Sequence, residues 1–348
     1  MKTHRIATTY AILAAALYAV SIPLSKLILG YASPTITAAF LYLGAGLGIL
    51  LYRIFLKGLG KSEQAKPLTK KEFPYAFGMV VLDIIAPILL MFGIKESFAA
   101  NVSLINNFEI VATSLIALFI FKEIISKRLW FAILLVTTAS IILSFEDASA
   151  FNFNIGSLYV FGACICWGLE NNCTRALSNN SSYQIVTIKG IFSGLGSLIV
   201  ALILKEGFPA VHIILLTLIL GFASYGLSIH FYIRAQKDLG AAKTSAYYSI
   251  APFLGASFGM LFLAERPALQ FYIAVVIMLV ATFVMVKDTV SLQHTHLHEH
   301  THTHEHTHGG KPHIHEHTHL HEHSHTHGGD GDFHDHTHTE ISKHTHKH

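Results

Sequence analysis

KESFAANVSLINNFEIVATSLIALFIFKE, from Lys95 to Glu123, returns without a gap as KDLGAAKTSAYYSIAPFLGASFGMLFLAE, from Lys237 to Glu265. Lys95/Lys237, Ala99-Ala100/Ala241-Ala242, Ser103/Ser245 and Glu123/Glu265 are identical, and Glu96/Asp238 keeps its charge. The match runs on through Ala132/Ala274 and Ala139/Ala281, inside apolar stretches too long and too uncharged for a soluble core. Hydrophobic residues make up 52% of the chain and charged residues 13%, and the mean hydropathy is +0.49. This composition excludes an ordinary soluble domain. The repeated unit is therefore expected inside a membrane, and duplication of a helical membrane unit is a common route to a secondary transporter.

Working outward from the repeat, a bilayer core about 30 Å thick needs about 20 apolar residues of helix. Runs of that length lie near residues 6–29, 34–56, 73–94, 98–121 and 128–146, and again near 155–177, 183–204, 210–234, 240–264 and 267–287. The expected fold class is all-α: a polytopic membrane protein of about ten transmembrane helices, with five-helix units at 1–146 and 155–287 and a histidine-rich tail at 294–348. The first run is too long for a cleavable signal and should remain in the mature protein. Lys2 and Arg5, the stretch from Arg53 to Lys71, Lys122, Lys127 and Arg128, and Arg234, Lys237 and Lys243 all fall on one side. By the positive-inside tendency that side is cytoplasmic, as are both termini of this multi-pass protein of the plasma or inner membrane. Five crossings per unit is an odd number, so the second copy must enter the membrane upside down. The halves are expected to be inverted repeats. Tyr18 and Lys26 pair with Trp167 and Arg175 at the start of each unit, with the change in spacing absorbed by the basic loop near 57–72.

These residues resemble the EamA-type transporters of the drug/metabolite transporter superfamily across roughly residues 6–287. The resemblance rests on an aromatic followed by a basic residue in the first helix of each repeat (Tyr18 and Lys26, Trp167-Gly168 and Arg175). It rests also on a long apolar helix ending in Glu before the last helix of each repeat (Glu123, Glu265) and on Pro252. The first repeat has Ile110 where the second has Pro252, and Ala132 and Ala274 stand where the family often has Gly. The resemblance implies ten helices as two inverted five-helix repeats and transport without enzymatic conversion; the fold alone does not specify cargo.

Read without that resemblance, the helices point the same way. An ionisable group at a bilayer centre costs about 2.5–3.5 kcal/mol or more, so one that is present should face a cavity or a partner. Asp83, Glu109 and Glu170 lie mid-span, and His230 lies in the inner half of the eighth run. Asn106, Glu109 and Thr113 recur at helical spacing as one polar stripe that Asn107 broadens. The substrate cavity is accordingly assigned to Tyr18, Asp83, Asn106, Asn107, Glu109, Trp167, Glu170, Asn171, His230, Tyr247 and Tyr248. Structural hydrogen bonding between helices is the competing role for such groups. Cys166, Glu170 and Cys173 share a helix face in a donor set that Zn²⁺ accepts, although small apolar Cys more often packs helices. Glu123 and Glu265 sit at helix ends and read as caps. Cys164, Cys166 and Cys173 all fall in one helix and make no secreted disulfide framework.

From His294 onward histidine occupies nearly every second position, and all of the chain's histidines but His4, His212 and His230 lie there. Such a composition builds no apolar core, so the tail is expected to be disordered without a ligand. In an extended chain alternate residues share a side, so neighbouring imidazoles converge on a metal. The assigned ligands are His294, His296, His298, His300, His302, His304, His306 and His308, then His313, His315, His317, His319, His321, His323, His325 and His327. Imidazole accepts Zn²⁺, Ni²⁺, Co²⁺ and Cu²⁺ alike. The literal His-Glu-x-x-His matches at His298 and His315 lack the rigid helix that metalloprotease chemistry needs. A low-complexity repeat with no role competes with metal binding. No cofactor is required elsewhere, and the partners implied are the lipid bilayer, a small-molecule substrate and divalent metal at the tail. The Lys and Arg excess belongs to the cytoplasmic loops and gives no reason to invoke nucleic acid.

Three functions compete. A secondary transporter of a small organic solute, with the tail as metal buffer or regulator, fits the helices best. A divalent-metal transporter whose tail collects metal explains the tail better and the helices worse. A membrane-anchored metal sensor or store stands third. No Walker motif or nucleophile elbow marks an enzyme, so uphill transport would draw on an ion gradient.

Overall fold

A computed structural model describes residues 2–60, 69–121, 125–147, 152–177, 181–239, 244, 247–308 and 311–326. Of the residues paired in the repeat, Glu123, Ala241-Ala242 and Ser245 lie outside these, as does His327. The chain divides into two units, Met1–Gln293 and His294–His348.

Among the described residues, the membrane part of the first unit is built of helices. Crossing 1 is α1 (Lys2–Ala19) with α2 (Ser21–Ile28), crossing 2 is α3 (Pro34–Gly58), and crossing 3 is α4 (Phe73–Glu96). Crossing 4 is α5 (Ala99–Ile105) with α6 (Phe108–Phe121), and crossing 5 is α7 (Lys127–Ser144). In the second repeat, crossing 6 is α8 (Ile155–Ala176) and crossing 7 is α9 (Ser182–Ile203). Crossing 8 runs from α10 (Val211–Gly221) through a π-helical turn (Phe222–Leu227) into α11 (Ser228–Leu239). Crossing 9 contains α12 (Ala251–Phe262) and crossing 10 is α13 (Leu269–Leu292). Eight helices among the described residues are long and apolar enough to span a bilayer. The other two crossings depart for reasons visible in the sequence: Glu170, Asn171 and Asn172 make α8 polar, and α12 is short because Pro252 at its start interrupts crossing 9. Local signals set the other starts, with Pro34 opening α3 and the Ser126 side chain accepting from Leu129 N (3.0 Å) to cap α7. Phe119, Ile199, Leu216 and Phe283 are exposed on the outside of the bundle, where lipid rather than protein is their solvent.

The packing obeys the duplication. Crossing 2 packs on crossing 7, crossing 4 on crossing 9 and crossing 5 on crossing 10, each pair exchanging with itself when the repeats are swapped. Crossing 3 packs on crossing 6 as crossing 1 packs on crossing 8, and crossing 4 on crossing 6 as crossing 1 on crossing 9. A set of contacts that maps onto itself in this way is what a two-fold relation between five-helix repeats requires, and the odd crossing number makes the repeats inverted.

Small residues bring the central crossings together. A Cβ on Gly46 would stand 2.5 Å from Ile191 N, and one on Gly190 would stand 2.5 Å from the Gly46 Cα. The α3 and α9 backbones are therefore nearly in contact, which only glycine on both sides permits. Gly168 does the same for α8 on α6, where an added Cβ would meet the Ala112 carbonyl carbon and Thr113 N, each at 2.9 Å.

Two features of the first unit differ from the sequence expectation. Crossings 1, 4 and 9 are not continuous helices: the chain turns at Val20, at Asn106-Asn107 and at Ser249-Ile250. The connection from crossing 5 to crossing 6 carries a short antiparallel ribbon, β1 (Phe145–Asp147) with β2 (Asn152–Phe153), with Phe145 opposite Phe153.

The second unit, expected to be disordered, contains two strands hydrogen-bonded in one sheet, β3 (Gln293–His308) and β4 (Lys311–Thr326). A sheet ladder satisfies backbone donors and acceptors without an apolar core, and the interleaved Thr residues favour extended backbone.

Candidate functional site

The turns in crossings 4 and 9 fall at equivalent places in the repeat, since Asn106-Asn107 aligns with Tyr248-Ser249. Asn carries a side chain that competes for backbone hydrogen bonds, and Pro252 has no N–H to continue the helix. Broken helices at membrane depth expose polar backbone and are tolerated where they border a cavity. A cavity of about 430 Å³ lies there. Residues of both repeats line it, from crossings 1, 2, 4, 6, 7, 8 and 9.

Lys189 and Glu170 line it, and with Asp83 behind them they form an ion-pair triad. Lys189 Nζ on α9 stands 3.1 Å from Asp83 Oδ2 on α4 and 2.9 Å from Glu170 Oε2 on α8. Asp83 is fully buried, and its other oxygen accepts from Tyr42 Oη (3.1 Å) and Trp167 Nε1 (3.2 Å). Trp167 Nε1 also lies 3.3 Å from Tyr42 Oη. Glu170 Oε1 accepts from Thr174 Oγ1 one turn on. The Gly46/Gly190 contact fixes this arrangement, because it holds α9 against α3 with Lys189 beside the contact point. Two carboxylates against one ammonium leave the triad formally negative.

A second polar group faces it. Asn171 Nδ2 donates to Glu109 Oε1 (2.7 Å) and to Thr113 Oγ1 (3.2 Å), while Asn172 Nδ2 donates to the Thr113 carbonyl (3.3 Å). These bonds depend on the close α6–α8 approach at Gly168. Asn106 Nδ2 donates to Tyr18 Oη (3.1 Å). Asn107, 7% exposed, lines the cavity with its Nδ2 unbonded. The remaining wall is aromatic: Tyr42 packs on Tyr225 (ring centroids 5.7 Å), Tyr225 on Tyr18 (5.9 Å), Tyr18 on Tyr248 (6.0 Å) and Tyr248 on Tyr232 (5.1 Å).

Of the residues assigned from sequence, Tyr18, Asn106, Asn107, Glu109, Trp167, Glu170, Asn171 and Tyr248 come together around this cavity. Asp83, His230 and Tyr247 do not line it. Asp83 sits one layer behind, screened by Tyr42 and Trp167. His230 is 6% exposed and packs against Tyr52 (5.1 Å) and Tyr183 (5.2 Å), because its neighbours Ile229 and Tyr232 take the cavity face of α11. Tyr247 precedes the turn and is 40% exposed. Cys166 and Cys173 do not join Glu170 as metal ligands, its carboxylate being engaged by Lys189 and Thr174. Among the described residues no three His, Cys, Asp or Glu side chains are grouped to hold a metal ion. Lys189, Tyr42, Tyr225 and Tyr232 escaped the sequence reading. Lys189 carried a usable signal, a charge inside an apolar run; Tyr225 carried none, because the π-helical turn shifts its direction by a register that the sequence does not announce.

At the end of the bundle predicted to be outer, a second cavity of about 680 Å³ is ringed by clamps. Lys26 Nζ donates to the carbonyls of Ile94 (2.6 Å), Lys95 (2.9 Å) and Ser97 (2.7 Å), where α4 ends. Glu265 accepts from Ala99 N (2.7 Å) and Ala100 N (2.8 Å), the first amides of α5. Outside the lining of this cavity, Glu206 Oε2 accepts from Ile36 N (3.0 Å) at the start of α3. Each clamp puts a charge on the helix end of opposite sign. Between the two cavities α12 presses on α5, with Gly255 against Ser103.

The EamA-like transporter family matches this chain twice, at residues 5–145 and 154–287. An uncharacterized transporter of Methanothermobacter thermautotrophicus is 25% identical over 285 residues, covering 77% of this chain and 82% of its own. The uncharacterized transporter YyaM of Bacillus subtilis is 26% identical over 249 residues, 66% of this chain and 77% of its own. A solved crystal structure resembles the fold with a TM-score of 0.58 at 16% identity, covering 84% of this chain and 98% of that one.

Proposed function

Because the chain belongs to the EamA-like transporter family, we propose that it is a secondary transporter that moves a small organic solute by alternating access, and that it converts nothing chemically. The observation that carries this reading is the cavity itself: it lies where the broken helices of two inverted repeats meet, and both repeats contribute polar groups to it. Lys26, Glu265 and Glu206 clamp one end, so a solute in the cavity exchanges with one side at a time. The Lys/Arg distribution supports a cytoplasmic location for both termini. Reconstitution into liposomes tests the reading. Purified protein should accelerate entry of at least one member of a panel of cationic, zwitterionic, neutral and anionic solutes, and Gly168→Leu, which fills the space between α8 and α6, should abolish it. No flux for any solute under an imposed proton or sodium gradient would overturn the proposal.

The tail carries a separate proposal, that residues 294–327 bind a divalent metal and buffer or regulate rather than form the pathway. Imidazole must be neutral to ligate, and its ordinary pKa is about 6.5. Zn²⁺ or Ni²⁺ binding to the full chain should therefore be strong at pH 7.5 and largely lost at pH 5.5, and absent from a chain ending at Gln293. Solute flux should survive that truncation. Loss of metal flux at limiting but not saturating metal would instead favour a metal transporter fed by the tail.

A further inference from the structure

We propose that the cavity between the repeats is a site for a small organic cation, an amine or quaternary ammonium bearing a hydrogen-bond acceptor. The proposal rests on the transport reading and names its substrate class.

Charge is the first argument. Lys189 spends its ammonium on Asp83 and Glu170, while a third acid, Glu109, lines the cavity that Glu170 and Lys189 also line. The lysine has little to offer an anion. Glu109 lines the cavity, accepts one side-chain hydrogen bond, from Asn171, and is paired with no cation among the described residues. An ionised carboxylate in a bilayer interior is stabilised by a counter-charge, and a cationic ligand supplies one.

The tyrosines are the second argument, independent of the acids. Tyr42, Tyr225, Tyr18, Tyr248 and Tyr232 form an unbroken chain of ring contacts along the wall, and Trp167 adds a further aromatic. Aromatic faces attract ammonium groups, most strongly when water is excluded, and they tolerate methyl groups that a hydrogen-bonding site would reject. Asn107 is the third. Its Nδ2 is buried, unbonded and beside the cavity, so the solute must present an oxygen acceptor there. A volume of about 430 Å³ suits a molecule of modest size.

An isosteric series tests this with the full-length protein in detergent, read by titration calorimetry: choline, its uncharged analogue 3,3-dimethylbutan-1-ol, the zwitterion glycine betaine, and the anion 3,3-dimethylbutanoate. Choline should bind at least about tenfold more tightly than the neutral isostere, and the anion should bind least. Glu109→Gln should abolish the preference for choline over the neutral isostere. The comparison within the unsubstituted protein stands even if that variant does not fold. Equal binding of all four, tighter binding of the betaine or the anion, or an unaltered preference in E109Q would overturn the proposal. Liposome flux separates the two readings: flux of a neutral or zwitterionic solute without choline binding removes the cation assignment and keeps the transporter, whereas choline binding without any flux does the reverse.

Discussion

Truncating Lys189 would leave Asp83, fully buried, and Glu170, 1% exposed, with no ammonium between them. Breaking a buried ion pair from one side costs about 3–5 kcal/mol, because the remaining charges stay desolvated. Lys189→Ala should therefore lower the melting temperature in detergent sharply, while Lys189→Met combined with Asp83→Asn and Glu170→Gln should recover much of the loss. Equal melting of both proteins would mean that the triad contributes shape rather than charge balance. The acids of this site were legible in the sequence, because a carboxylate deep in an apolar run has no inexpensive alternative to a partner. Lys189 carried the same signal, a charge inside an apolar run, but it lies less than two turns inside the start of its crossing, where a long flexible side chain ordinarily reaches back to the interface, and so it passed for an interfacial residue. His230 misled for the opposite reason. A polar ring in an apolar helix satisfies itself against other rings as readily as against a solute, and only the helix rotation decides between Tyr52 and the cavity.

The α3–α9 contact positions both the triad and one cavity wall, and it tolerates no side chain on either backbone. Gly190→Ala would place a Cβ 2.5 Å from the Gly46 Cα, so the helices must separate along their length. Overpacking of this kind costs about 1–3 kcal/mol. A lowered melting temperature and weakened solute binding are expected together, whereas Gly207→Ala, with nothing within 4 Å of the added Cβ, should change neither. The crossings themselves were readable, because length and hydrophobicity are nearly sufficient conditions for a membrane helix. Their interruptions were not. Asn106 and Asn107 read equally well as two members of a continuous polar stripe, and the turn between α5 and α6 is held by contacts from other crossings, such as Asn106 on Tyr18. Pro252 marked the matching turn in crossing 9, but its aligned position in crossing 4 is Ile110, so the repeat gave no second warning.

At the scale of the whole chain, the duplication read from Lys95–Glu123 and Lys237–Glu265 foretold a packing that exchanges with itself, since related sequences bury related faces. The clamp at one end draws on that duplication. Lys26, Glu265 and Ala99-Ala100 build it, and the sequence holds a matching set for the opposite end in Arg175, Glu123 and Ala241-Ala242. On the proposed alternating-access reading, two such locks would act as a balance: strengthening both equally would change nothing, and only their inequality would tilt the resting state. A hydrogen bond to a charged group is worth about 1.5–3 kcal/mol, enough to shift such an equilibrium by about tenfold or more. Glu265→Gln should thus raise labelling of Asn101→Cys, in the cavity at the end predicted to be outer, by a membrane-impermeant maleimide in a background lacking Cys164, Cys166 and Cys173. Glu123→Gln should lower it, and the double substitution should return it close to the starting value. Unchanged labelling in all three would mean that the clamps hold helix ends and take no part in switching. On the proposed transport reading, the side that the resting protein presents would be a property of the mismatch between its halves, and removing one charge at one end should reverse it.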